Sequence, residues 1–324
     1  MTDLRVIGGD LVPPRPERRH LLSVAELTRA DLERLLSTAR SFALSQERET
    51  KKLPTLRGRL VLNLFYESST RTSSSFELAA KRLSADTLTI KAAGSSVDKG
   101  ESLKDTALTL SAYDPDVIVL RHPEAGAAEL VARHTRARVV NAGDGKHQHP
   151  TQALLDLYTM REAFGRLEGL HVAIVGDVAH SRVARSLVQA LALVGADAVL
   201  VGPPTLVPEG LAPVSHDLTA VADADVVYVL RMQRERMLPG ASFVPTLREY
   251  ADRWGITPER LRPGQRVMHP GPMNRGVEID PRVADSDASL ILEQVRAGLV
   301  VRMAVLYDLL TAGPVAVEAT AGVA

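Results

Sequence analysis

Apolar positions along this chain switch between two periods. Leu27, Leu32, Leu35, Leu36 and Ala39 recur every three or four residues and predict a helix over 20–45, with Thr28-Arg29-Ala30-Asp31 offering N-cap chemistry. After a break at Pro54 and Gly58, the run RLVLNLFY over 59–66 reads as a buried strand. Phe76, Ala79, Ala80 and Leu83 then give one apolar face to a helix over 69–83. The alternation continues with strand 87–90, helix 101–113, strand 116–120, helix 124–134, strand 138–141 and helix 150–164. A second series has strand 171–175, helix 181–193 and strands 198–201, 225–230 and 265–268. It closes with a helical stretch over 288–310, broken near Gly298, while residues 1–20 read as an arm or an early strand. Strand then helix, repeated, is the order a parallel sheet requires. The expected class is α/β, with two domains, each a parallel β-sheet flanked by helices, and a boundary near 149.

Composition narrows the picture. The chain has 324 residues, 45% hydrophobic and 24% charged, which is enough apolar material for two cores and excludes a disordered or low-complexity class. No stretch of eighteen apolar residues occurs and the first twenty residues lack a secretory core, so no membrane span is expected and the expected location is cytoplasmic. Cysteine is absent, which removes disulfides, thiolate zinc sites and cysteine nucleophiles. Net charge is zero, so no global basic field exists for nucleic acid, and any anion site must be built locally.

Four segments of the first half carry candidate chemistry. Ser69-Thr70-Arg71-Thr72, followed by Ser73-Ser74-Ser75-Phe76-Glu77, lies between a strand and a helix. Free N–H groups at a helix start, hydroxyls and an Arg fork together suit a phosphate. Plain capping, with Ser74 and Glu77 as a capping box, also explains the hydroxyls but has no use for Arg71. Ser95-Ser96-Val97-Asp98-Lys99-Gly100 lacks the order of a P-loop and the companion motifs of serine acyl enzymes, and on its own reads as a solvated loop. Arg121-His122-Pro123 ends a strand, where open parallel sheets gather ligands. In Asn141–Gln152, Pro150 suits a first helical turn, which puts His149 and Gln152 three residues apart on one face. His149 at the positive end of a helix favours the neutral imidazole, still able to donate to a carbonyl oxygen. His147 and His149 have no clear third metal ligand, so no metal is expected.

In the second half, Val172–Asp177 looks like a Rossmann opening strand, but the glycine fingerprint is missing and a nicotinamide cofactor is not expected. Arg182 starts the next helix, and Arg231 and Gln233 follow the strand 225–230; the two arginines suit a dicarboxylate. His269-Pro270-Gly271-Pro272 ends a further strand. One anion site in each half, facing a shared cleft, points to two anionic substrates being joined.

Taken together and in order, these motifs resemble the aspartate carbamoyltransferase family. The likeness spans about residues 20–310 and rests on Ser69-Thr70-Arg71-Thr72 with Phe76-Glu77, Lys99-Gly100-Glu101, Arg121-His122-Pro123, Asn141–Gly145, His149-Pro150-Thr151-Gln152 with Leu155-Asp156, Val175-Gly176-Asp177 with Arg182, Arg231-Met232-Gln233 and His269–Pro272. The resemblance implies transfer of a carbamoyl group from carbamoyl phosphate to aspartate in pyrimidine synthesis, with no cofactor and no covalent intermediate. It implies that Ser69, Thr70, Arg71, Thr72 and Arg121 hold phosphate. Thr72, Arg121 and His149 would face the carbonyl oxygen, and Gln152 with the carbonyls of Pro270 and Gly271 the carbamoyl amide. Arg182, Arg231 and Gln233 would hold the aspartate carboxylates. It further implies a homotrimer in which Ser95 (or Ser96) and Lys99 reach a neighbouring subunit's site, with dihydroorotase or regulatory chains as further partners. The implied division is 1–148 for carbamoyl phosphate, completed by a helix over 299–324, and 149–298 for aspartate. The alternatives are an ornithine or other amino-acid carbamoyltransferase, or a catalytically silent scaffold chain.

Overall fold

The computed structural model describes residues 5–7, 10–12, 20–91, 100–233 and 246–311. A short antiparallel pair, β1 (Arg5–Ile7) and β2 (Asp10–Val12), comes first. The first helix, α1 (Arg29–Gln46), begins later than the periodicity predicts. Leu21 is instead drawn into extended pairing, donating its N–H to Val139 O and accepting from Asn141 N, each at 2.9 Å. A reciprocal capping box between Thr28 and Asp31 then sets the helix start.

The first sheet is parallel throughout: β3 (Leu60–Phe65), β4 (Asp86–Lys91), β5 (Val117–His122) and β6 (Arg138–Asp144), in the order β4-β3-β5-β6. Helices α2 (Thr70–Arg82), α3 (Leu103–Ser111) and α4 (Ala127–His134) make the crossovers. After β3 the chain adds β4 on one side, then returns to place β5 on the other. That reversal opens a crevice at the carboxyl ends of β3 and β5.

Helix α5 (Pro150–Phe164) leads into a second parallel sheet. Its strands are β7 (His171–Val175), β8 (Asp197–Val201), β9 (Val214–Ser215), β10 (Val226–Val229) and β11 (Arg266–Met268), in the order β11-β10-β7-β8-β9. Helix α6 (Arg182–Val194) joins β7 to β8. Here the reversal lies between β7 and β10, so each sheet has one switch point. The inner strands β3, β5 and β7 are buried along nearly their whole length, as expected where helices cover both faces.

Two further helices, α7 (Leu247–Trp254) and α8 (Pro281–Ala284), were not read from the sequence; α7 buries only Tyr250, and α8 is a single turn capped by Asp280. The last helix, α9 (Ile291–Leu310), packs against α1, α2 and α5. It runs unbroken through Gly298, contrary to the sequence reading. Gly298 is there for clearance: a Cβ at this position would lie 2.6 Å from Arg302 Nη1, which donates to Gly298 O at 3.1 Å. The part of the expected terminal helix beyond residue 311 lies outside the described residues.

Candidate active site

At the first switch point, Ser69 is the N-cap of α2 and its hydroxyl makes no capping bond. Ser74 lies inside the helix and Glu77 binds Lys81 at 2.6 Å, so the Ser74–Glu77 capping box does not form. The early N–H groups of α2 have no acceptor within the helix, which leaves this end electropositive. Thr72 is buried, and Arg71 is exposed. Arg121 stands one strand over, paired in register with Phe65 of β3. Its Nη1 donates to Ala142 O at 3.3 Å and its Nε lies 3.2 Å from Glu67.

His149 is the buried N-cap of α5 with Pro150 behind it, as the helix-start chemistry predicts. Its backbone N–H donates to Ser186 Oγ at 2.8 Å, and that hydroxyl donates to Gln148 Oε1 at 2.6 Å. The start of α5 is thereby tied to α6. Gln152, one turn on, donates from Nε2 to Asp156 Oδ1 at 3.0 Å.

The second switch point supplies Arg182, 2% exposed, at the first position of α6 capped by Ser181. Its guanidinium packs on Gly143, where a Cβ would stand 3.1 Å away, and Nη2 pairs with Glu67. Its Nη1 is buried without a hydrogen-bond partner among the described residues. Arg231 and the buried Gln233 follow β10. The Gln233 N–H donates to Asp177 Oδ2 at 3.1 Å, and Oδ1 of the same carboxylate faces His180 Nδ1 at 2.7 Å.

After β11 the chain turns through His269–Pro272. His269 Nδ1 accepts the Gly271 N–H at 2.8 Å, so the ring proton sits on Nε2, 3.2 Å from Glu278 Oε1. Burial pulls the His269 pKa down, against the pull of Glu278 and together with Arg71 and Arg231 nearby. Gly271 is left-handed (φ +65) and its open side is filled by the Arg71 guanidinium, so a side chain there would collide with Arg71. The first half thus reaches directly onto the loop of the second.

These residues surround one cleft of about 850 Å³. Of the predicted set, Ser69, Thr70, Arg71, Thr72, Arg121, His149, Gln152, Arg182, Arg231, Gln233, Pro270 and Gly271 all line it. Ser95, Ser96 and Lys99 lie outside the described residues. No group of three metal-ligating side chains occurs among the described residues, and His147 binds Asp144 at 3.0 Å. The lining also holds Glu67, Gln294 and Arg302, which the motif reading passed over, and His269, which it named but gave no role. Behind them Asp156, fully buried, accepts from Gln152, Gln294 and Tyr228. Burial pushes the Asp156 carboxyl up to about 7, opposed by those three donors and by Arg302. Burial also pulls Arg302 down to about 10, opposed by Asp156. Chemically, the cleft offers hydroxyls, a helix start and guanidinium groups at one end, guanidiniums and an amide at the other, and an imidazole between.

Comparison with known proteins gives a consistent result. Residues 19–162 match the family model "Aspartate/ornithine carbamoyltransferase, carbamoyl-P binding domain", and residues 168–309 match the companion "Asp/Orn binding domain". The chain is 59% identical over 303 residues to the aspartate carbamoyltransferase catalytic subunit of Salinispora arenicola, covering 90% of this chain and 98% of that one. It is also similar to crystal structures of aspartate transcarbamoylase from Trypanosoma cruzi. One is in complex with N-(phosphonacetyl)-L-aspartic acid (TM-score 0.83, 31% identity, 91% and 96% of the two chains). Another is in complex with carbamoyl phosphate and aspartate (TM-score 0.83, 30% identity, 91% and 97%).

Proposed function

Because the chain belongs to the aspartate/ornithine carbamoyltransferase family, we propose that it transfers the carbamoyl group of carbamoyl phosphate to the amine of L-aspartate, giving N-carbamoyl-L-aspartate and phosphate for pyrimidine synthesis. The observation that carries this reading is the convergence of two switch points on one cleft, Arg71 and Arg121 from one sheet and Arg182 and Arg231 from the other. Phosphate belongs at the start of α2, against Ser69, Thr70, Arg71 and Thr72, with Arg121 opposite. The dicarboxylate belongs at Arg182, Arg231 and Gln233. Two guanidiniums favour a second carboxylate over the ammonium of ornithine.

The mechanism follows from placement. The aspartate amine attacks the carbamoyl carbon, and negative charge grows on the carbonyl oxygen. Thr72, Arg121 and His149 donate to that oxygen, and removing one such donor typically costs about 2.7–4 kcal/mol of transition-state stabilisation. Holding both anions in line supplies the remaining rate. The departing phosphate is positioned to accept the amine proton, so no covalent intermediate, cofactor or metal is required.

The same proposal assigns residues 1–148, completed by 299–324, to carbamoyl phosphate and 149–298 to aspartate. It includes a cytoplasmic homotrimer in which Ser95 and Lys99 complete a neighbouring site, with dihydroorotase or regulatory chains as further partners. What supports a second chain is the edge strand β4, which carries the exposed Leu88 and leads directly into the segment holding Ser95 and Lys99. The test is calorimetric titration with N-(phosphonacetyl)-L-aspartate, whose two ends would span both anion subsites. One molecule bound per chain, with binding lost in both Arg71→Ala and Arg231→Ala, is the expected result. Absence of binding to the wild-type protein would overturn the reading.

A further inference from the structure

Asp156 sits where four elements meet, one turn along α5 from Gln152, beside Tyr228 of β10 and Gln294 of α9, and behind the loop that follows β11. The hydrogen bonds around it have only one consistent polarity. The His269 backbone N–H can only donate, and it donates to Gln294 Oε1 at 2.9 Å. The other end of that amide, Nε2, must therefore face Asp156, and it does so at 2.7 Å from Oδ1. Gln152 Nε2 donates to the same oxygen at 3.0 Å, and the Tyr228 hydroxyl donates to Oδ2 at 2.7 Å. An ionised carboxylate has acceptors only. Gln152 must turn its NH2 toward Asp156, which leaves its oxygen for the cleft it lines.

The same carboxylate governs the loop. Through Gln294 it holds the His269 N–H, and His269 in turn binds the Gly271 N–H through Nδ1 at 2.8 Å. The peptide carbonyls of Pro270 and Gly271 are acceptors by nature. Of the acceptors assigned to the carbamoyl amide above, the Gln152 oxygen is oriented by Asp156 directly, and the two carbonyls are linked to it through Gln294 and His269, which Glu278 also holds. The donors Thr72, Arg121 and His149 are assigned to the opposite face of the same group.

We propose that Asp156 is a positioning residue that fixes the amide orientation of the carbamoyl subsite, so that the subsite presents acceptors only and selects an acyl phosphate bearing NH2 over one bearing a methyl group. This rests on the reading of the cleft as a carbamoyl phosphate site. An NH2 satisfies the acceptors. A methyl leaves them unpaired inside the cleft, which is the arrangement that rejects a near-isostere most strongly. Replacing Asp156 with an amide lets Gln152 turn over, and the subsite loses its polarity without losing its phosphate contacts.

The experiment compares carbamoyl phosphate with acetyl phosphate at pH 8. The KM of the first and the inhibition constant of the second are measured in carbamoyl aspartate formation by the full-length protein, with inorganic phosphate as a third ligand. Wild type that forms no carbamoyl aspartate refutes the carbamoyltransferase reading itself. With activity present, Asp156→Asn is expected to raise the KM for carbamoyl phosphate by about tenfold, the equivalent of one lost hydrogen bond, and to leave inhibition by acetyl phosphate and phosphate nearly unchanged. A merely structural role would weaken all three ligands together. Unchanged discrimination, or parallel loss, overturns the proposal. Gln294→Met, which removes one donor from Asp156 and releases His269 N–H, serves as the second variant if Asp156→Asn does not fold. It too must lower the ratio of acetyl to carbamoyl phosphate constants, and a wild-type ratio in it refutes the proposal.

Discussion

Replacing Arg182 with Met removes the guanidinium and keeps the length of the side chain. Arg182 is 2% exposed, packs on Gly143, and pairs with Glu67. Removing one member of a fully buried pair is often severe, because the other charge is stranded. Here Glu67 keeps Arg121 at 3.2 Å and is itself partly open to the cleft, so the loss of stability is expected to be modest. The functional loss is a charge-assisted hydrogen bond to an aspartate carboxylate, worth about 1.5–3 kcal/mol, or about a 10- to 150-fold rise in the KM for aspartate. Initial rates would be measured with aspartate varied at saturating carbamoyl phosphate, and then the reverse, alongside a thermal melt. The KM for carbamoyl phosphate should rise by less than that for aspartate, because Arg71 is untouched and Arg121 feels the change only through the Glu67 it shares with Arg182. An unchanged KM for aspartate in a folded variant would refute the assignment. So would equal rises for both substrates, because they would place Arg182 in a shared or purely structural role.

Three further outcomes are expected. Ser186→Ala strands the buried His149 N–H and the Gln148 oxygen, and should destabilise the chain by about 1–3 kcal/mol in urea unfolding; a wild-type midpoint would contradict the link between α5 and α6. The Asp156 carboxyl, raised from 3.8 to about 7, keeps its proton in the native state over a range where the unfolded chain has lost it. Its contribution to stability is therefore full below about pH 4, falls as pH rises toward 7, and is flat above, so Asp156→Asn should lack this slope. Parallel pH–stability curves for the two proteins would contradict the buried, raised carboxyl. Finally, Arg71→Ala and Lys99→Ala chains, each inactive alone, should regain activity when dissociated, mixed and reassembled. No regain would contradict a site shared between subunits.

The fold was largely legible because parallel α/β architecture writes itself into the chain as apolar strand runs alternating with helical faces. The failures have specific causes. Leu21 pairs with β6 rather than opening a helix, and a long-range bridge leaves no local signal. Gly298 breaks no helix because the space it leaves is filled by Arg302, one turn further along the same helix, whose side chain returns over it. The candidate site was legible where its chemistry is clustered in sequence, as in Ser69–Thr72 or His149–Gln152. Glu67 was invisible in that sense: a carboxylate beside a phosphate motif gains meaning only when Arg121 arrives from the end of β5 and Arg182 from the start of α6. Asp156 is legible in the sequence as part of the motif that starts at His149, but its role is not, because its burial depends on Tyr228 and Gln294, far along the chain.

The most direct measurement is product formation from carbamoyl phosphate labelled in the carbamoyl carbon, with aspartate or ornithine in parallel reactions of the purified protein. The account predicts labelled carbamoyl aspartate and stoichiometric phosphate with aspartate, and no labelled product with ornithine. Product with ornithine alone would contradict the dicarboxylate role of Arg182 and Arg231, and product with neither would contradict the proposed reaction.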